Sequence, residues 1–176
     1  MPAHASVSGT SREAHGLQMI RLRTFGGAVL YAEDGTPMGG AAARRRTLGL
    51  LSVLAVAGDA GLSRDKLVGL FWPDVEARRA RHSLTQALYV ARRAVGCDDL
   101  FEVAEDIRLN AARIWSDVAA LEAALQAGDD LTVASLYQGP FLDGFYLSSP
   151  EFEWWLGNQR KRLEEQAVGA LERLAT

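Results

Sequence analysis

Three features of the amino-acid sequence predict an α+β winged helix-turn-helix with a leading antiparallel sheet, followed by an all-α segment. The apolar period changes in a set order: alternation first, then three stretches of helical spacing, a short hairpin, and only Ala/Leu-rich helical patterns after Trp115. The third helical stretch carries a cationic face without an acid. Charge also divides along the chain, basic in its first half and acidic in its second.

Ile20 to Phe25 alternates apolar and polar residues, the period of a half-buried strand, and after the Gly26-Gly27 break Ala28 to Tyr31 resumes it. Glu33-Asp34-Gly35-Thr36-Pro37 is turn chemistry leading to a short return strand near Met38, so a small antiparallel sheet is expected. Arg44 to Gly58 reads as a helix with the apolar stripe Leu48, Leu51, Leu54 and Ala55, closed by Gly58. Ser63 is suited to cap a second helix, Arg64 to Phe71, which buries Leu67, Leu70 and Phe71 before Trp72-Pro73 stops it. Asp74 is expected to cap the third helix, Val75 to Val95, which Gly96 closes. Phe101–Val103 and Ile107–Leu109 are read as strands joined by Ala104-Glu105-Asp106.

Beyond Trp115, Ser116 or Asp117 caps a helix that ends at Gly128, and a second helix spans about Leu131 to Gln138. Gly139 to Phe145 is an aromatic-rich loop, and Ser149-Pro150-Glu151 starts the last helix with a cap, a proline and a first-turn acid. Phe152, Trp155, Leu156, Leu163, Ala167, Leu171 and Leu174 keep one face of that helix apolar. Such helices resemble the start of a repeat array, whose single unit cannot cover its own faces. This stripe is therefore expected to stay open and to promote self-association. The expected division is a disordered leader at 1–17, a reading head at 18–115 and an acidic helical domain at 116–176, ending within its first repeat.

The net charge of −3 conceals the division of charge. Ile20 to Gly96 holds twelve Lys/Arg against six Asp/Glu, whereas Cys97 to Thr176 holds six against fifteen. A basic half suits a polyanion, and the acidic half then needs a different partner. One cysteine, Cys97, excludes an internal disulfide and a Cys-rich zinc site, which fits a reducing cytoplasm. The longest apolar run, Leu48 to Ala57, is far shorter than the roughly 18 residues of a membrane span, so no membrane partner is expected. No glycine-rich loop ends in Gly-Lys-Ser/Thr, and no His/Cys/carboxylate cluster has ligand spacing. No catalytic residue, metal or cofactor is expected, and the chain is not read as an enzyme.

The third helix carries the functional reading. At about 100° per residue, Ala77, Ala80, Leu84, Ala87, Leu88, Ala91 and Val95 form its core face. Arg78, Arg79, His82, Gln86, Tyr89 and Arg93 fall opposite, with Thr85 and Arg92 on a flank. Arginine suits guanine edges and phosphates, glutamine suits adenine, and Thr or Tyr suits phosphates or a thymine methyl. Arg108 and Arg113, beside the hairpin, are expected to meet phosphates from the sides. A solvated basic face, or one paired with the acidic half, is the plain alternative.

Leu70-Phe71-Trp72-Pro73-Asp74, the run Ala77 to Leu88 and the run Ala91 to Gly96 resemble the recognition region of the antibiotic regulatory protein (SARP) family. Tyr137 to Phe145 and Glu151 to Leu156 resemble the start of that family's second part. The resemblance covers about Ile20 to Thr176. It implies an OmpR/PhoB-type winged helix joined to a bacterial transcriptional activator domain (BTAD) of TPR-like helices. It further implies a transcriptional activator that binds double-stranded DNA, with RNA polymerase or a twin subunit on repeated half-sites as protein partners. The sequence departs from the family at the wing, where Asp106-Ile107-Arg108-Leu109 replaces a usual Gly-Tyr-Arg-Leu. It also has Thr85 and Ala91 where Arg and Leu are commoner. Two other readings stand beside this one: a winged-helix interaction module that binds no DNA, and the regulatory front end of a larger enzyme.

Overall fold

Ile20, Leu22 and Thr24 are buried and the residues between them exposed, because a strand turns successive side chains to opposite faces. In the computed structural model, residues 19–176 are described. The leader expected over 1–17, with His4 and His15, lies outside the described residues. Strand β1 (Ile20–Arg23) pairs antiparallel with β2 (Val29–Tyr31), Leu22 opposite Leu30. The third strand of this sheet is not the expected return near Met38. Asp34 accepts hydrogen bonds from the Thr36 amide and hydroxyl, and Pro37 has no N–H to continue a ladder, so pairing there stops at one Tyr31–Pro37 bridge. The place on the other side of β1 goes instead to β6 (Ile114–Ser116), which runs parallel to it. The leading sheet is therefore mixed, not antiparallel.

Helix α1 (Arg45–Ala57) is buried continuously from Thr47 to Ala55, which makes it the central core helix rather than an amphipathic one. Helix α2 (Arg64–Phe71) is capped by the Ser63 hydroxyl, which accepts from the Lys66 amide at 3.3 Å. Helix α3 (Ala77–Val95) begins two residues later than Asp74 capping would require. The Trp72-Pro73 stop continues as a turn in which the Val75 amide donates to the Trp72 carbonyl. The cap falls to Glu76, whose carboxylate accepts from the Arg78 and Arg79 amides at 3.0 and 3.2 Å. Gly96, at φ 69°, ends α3 in the left-handed conformation that glycine adopts without steric cost.

A second sheet orders β3 (Leu62–Ser63), β5 (Asp106–Leu109) and β4 (Phe101–Val103), the last two forming the hairpin. Gly61, at φ 65°, lies so close to β5 that a Cβ would sit 2.7 Å from the Ile107 carbonyl oxygen. Only glycine fits there.

The remaining elements are α4 (Asp117–Ala127), α5 (Asp130–Leu136) and α6 (Pro150–Leu174), capped by Ser116, Asp129 and Ser149. Asp117, at the start of α4, is buried and accepts from the Thr24 amide, the Thr24 hydroxyl and the Phe25 amide. Ser149 also donates to the Leu70 carbonyl of α2. Phe152 lies 5.5 Å from the ring of Phe71 and 5.9 Å from that of Phe145. The buried apolar side chains of both halves form one cluster. The expectation of an uncovered stripe on the last helix is thereby corrected. Of that stripe, Phe152, Leu156, Leu163 and Ala167 are fully buried under α2, the aromatic loop and the neighbouring helices. Trp155 is half-buried, and Leu171 and Leu174 toward the far end stay exposed; off the stripe, Trp154 and Val168 are exposed as well. Full burial of Phe152 contributes about 1.5–3 kcal/mol.

Candidate nucleic-acid interface

Leu84 and Leu88 anchor α3 in the core, together with Ala80, Ala91 and Val95. That burial sets the rotation of the helix. Arg78, Arg79, His82, Gln86, Tyr89 and Arg93 are exposed on the opposite side. Among the described residues, none of these six side chains has a hydrogen-bond or ion-pair partner within the chain. The nearest acid in sequence, Glu76, is occupied by capping.

The flanking residues are differently placed. The Thr85 hydroxyl donates to the Arg81 carbonyl of its own helix, at 3.1 Å. Arg92 is half-buried, with its guanidinium 5.4 Å from the centre of the Phe101 ring and its Nε buried without a partner. The Phe101 ring holds it between α3 and the hairpin base. Arg81, on the side facing α2, donates to Asp65 at 3.1 Å, an exposed pair worth at most about 1 kcal/mol.

The two arginines expected to flank the hairpin do not present free guanidinium groups. Arg108 donates through Nε to Glu102 at 2.6 Å, and its Nη1 reaches the Asp59 carbonyl. Arg113 lies beyond the hairpin, in the turn before β6, and donates to Asp99 at 2.8 Å. That hydrogen bond holds the Asp99 carboxyl below the usual range. The hairpin tip, Ala104, Glu105 and Asp106, is exposed and acidic. The residue reaching it is Arg64, whose Nη1 donates to the Ala104 carbonyl at 3.4 Å. Arg64 was not among the sequence candidates, although its place just after the Ser63 cap marks it as a first-turn residue. Arg46 was also missed; its guanidinium stacks 5.0 Å from the Trp72 ring centre, at the corner between α2 and α3.

Cys97 is half-buried, and burial, with a hydrogen bond to Asp99, pushes its thiol above the ordinary value. This is the opposite of what an activated nucleophile requires. Among the described residues no helix is long and apolar enough to cross a membrane.

No protein-family model matches the chain, and no curated protein is significantly similar to it. Among solved structures it is similar to Mycobacterium tuberculosis EmbR, determined in complex with a low-affinity phosphopeptide, at a TM-score of 0.62 and 18% identity. The likeness covers 87% of this chain and 44% of that one, so the chain spans less than half of the EmbR chain. At this identity the likeness is one of fold, which in this chain is a mixed α/β body with small sheets and six helices.

Proposed function

We propose that the chain is a DNA-binding transcription regulator of the SARP type, which reads double-stranded DNA with α3 in the major groove. The observation that carries this reading is the outer face of α3, six exposed side chains without an internal partner and without an acid. Arg78, Arg79 and Arg93 supply phosphate or guanine contacts, Gln86 an adenine contact, and His82 and Tyr89 further polar contacts. Arg92, stacked on Phe101, meets a phosphate at the edge of the face. Arg108 and Arg113 drop out of direct contact, because each already has a carboxylate. The reading requires no catalysis and no cofactor. The acidic helices are left for protein contacts, with RNA polymerase or a twin subunit.

Binding isotherms at several salt concentrations test it. About four neutralised phosphates give a slope of log affinity against log salt near −4. A flat response with every duplex tried excludes the reading. It would favour an interaction module that binds no DNA, which the acidic hairpin tip and the paired Arg108 support.

Gln86 and Arg93 separate base reading from backbone binding. Gln86→Ala is expected to leave the salt slope and nonspecific binding unchanged, and to lose about 1–3 kcal/mol at one or two base positions. Arg93→Ala is expected to weaken specific and nonspecific duplexes alike and to make the slope shallower by about one unit. Both side chains are exposed, so thermal melts are expected to match the wild type. If Gln86→Ala binds every operator variant as wild type does, α3 is docked in another orientation.

A further inference from the structure

A groove of about 660 Å³ runs between α2 and the first turns of α6. Leu62, Leu70, Pro150 and Trp154 supply apolar lining, and Lys66 and Glu151 also line it. No residue of α3 takes part. Trp154 is 75% exposed, the highest value of any large hydrophobic among the described residues. Gly69 lines the same groove, and a Cβ placed on it would meet nothing within 4 Å, so the groove is open at that point. Among the described residues neither Lys66 nor Glu151 has an ion-pair partner.

We infer that this groove is the self-association surface of the chain, occupied by the same groove of a second copy related by a two-fold axis. A two-fold interface brings one patch against itself, so the patch must be its own complement. This one carries a knob, the Trp154 indole, and an apolar groove open at Gly69, together with one charge of each sign. Under two-fold pairing each Lys66 faces the other copy's Glu151, and each indole has an apolar groove to enter. Tryptophan is also among the side chains enriched where binding energy concentrates in an interface. The outer face of α3 stays free in the pair. The inference gives the proposed twin subunit a surface, but it does not need DNA, and its test is carried out without DNA.

Sedimentation of the full chain over a range of concentrations is expected to show monomer and dimer in exchange. Trp154→Ala should raise the dissociation constant at least tenfold. Lys66→Glu and Glu151→Lys should each be monomeric, because each sets like charges opposite one another twice. Mixing these two variants should restore a dimer, since both cross-pairs then become opposite in sign, and so should the double charge swap in one chain. That rescue separates pairing from misfolding. A chain that stays monomeric at every concentration overturns the inference, as does a mixture no better than its components. So does association that survives Trp154→Ala but is lost in Leu171→Glu, which would place the contact on the far end of α6. Dimerisation only after removal of residues 1–18 overturns it too, because the groove would then belong to that segment.

Discussion

Asp117→Ala is expected to destabilise the chain by about 3–5 kcal/mol, among the largest effects of any single polar substitution in it. The carboxylate is buried at the start of α4 and accepts from three donors: the Thr24 amide, shared between its two oxygens at 2.9 and 2.8 Å, the Thr24 hydroxyl at 2.6 Å and the Phe25 amide at 3.1 Å. Its three donor groups, the Thr24 amide, the Thr24 hydroxyl and the Phe25 amide, lie on residues that are themselves buried. Alanine removes the acceptor and leaves these donors dry. The cost is that of stranding polar groups, not merely of losing one bond. Asp117→Asn is the informative control. It keeps one acceptor oxygen but turns an NH₂ group toward donors, so it should recover only part of the loss. Asp117 also joins α4 to the end of β1, so its removal loosens the tie between the helical half and the sheet. Chemical denaturation should show the shift in midpoint, with loss of protection first at the Thr24 and Phe25 amides. A variant as stable as wild type would mean that water or another group takes over those donors.

Local chemistry was the legible part of the fold. Ser63 and Ser149 were readable as caps, and Ser116 as one of two candidates beside Asp117, because a hydroxyl before an apolar period has few other uses; all three accept an amide of the first turn. The hairpin was readable from Phe101–Val103 and Ile107–Leu109 for a similar reason: its register follows from a short polar turn. The misses involve partners far away in sequence or two local signals in competition. The Trp72-Pro73 stop and the expected Asp74 cap were in conflict, and the turn that continues past Pro73 moves the helix start beyond Asp74 and leaves the capping to Glu76. The pairing of β6 with β1 joins Ser116 to Leu22 across the whole helical region, and no local pattern announces it. The cover over Phe152 comes from Phe71 on α2, which no repeat-like reading of the last helices could supply.

The exposed outer face of α3 was legible by rotation alone. The period that buries Leu84 and Leu88 necessarily exposes Gln86, Tyr89 and Arg93. Which cations were free was harder to read. Glu102 stands directly opposite Arg108 in the hairpin register, so that pair could have been foreseen from the strands. The Arg113–Asp99 pair joins two loops and could not.

Combining Arg78→Ala, Arg79→Ala and Arg93→Ala is expected to reduce duplex affinity by a few hundred-fold at about 0.1 M salt and to remove about three units of salt slope. The estimate comes from counterion release. Each neutralised phosphate contributes a slope of about −0.9, which at about 0.1 M corresponds to roughly an eightfold gain in affinity relative to 1 M salt. Three such contacts multiply, because all three guanidinium groups are exposed and none leans on another. The loss should be nearly the same for specific and random duplexes and should shrink as salt rises. Core packing is untouched, since Ala80, Leu84, Leu88 and Ala91 remain and alanine favours a helix, so the variant should melt no lower than wild type. Arg108→Ala is the matched control. Its guanidinium is held by Glu102, so the salt slope should hold and only a small change in hairpin stability should follow. If Arg108→Ala reduces the slope as much as Arg93→Ala does, the Glu102 pair opens on binding and the hairpin is part of the contact. If the triple variant keeps both its slope and its affinity, the duplex is held by some other surface, and the outer face of α3 is only a solvated one.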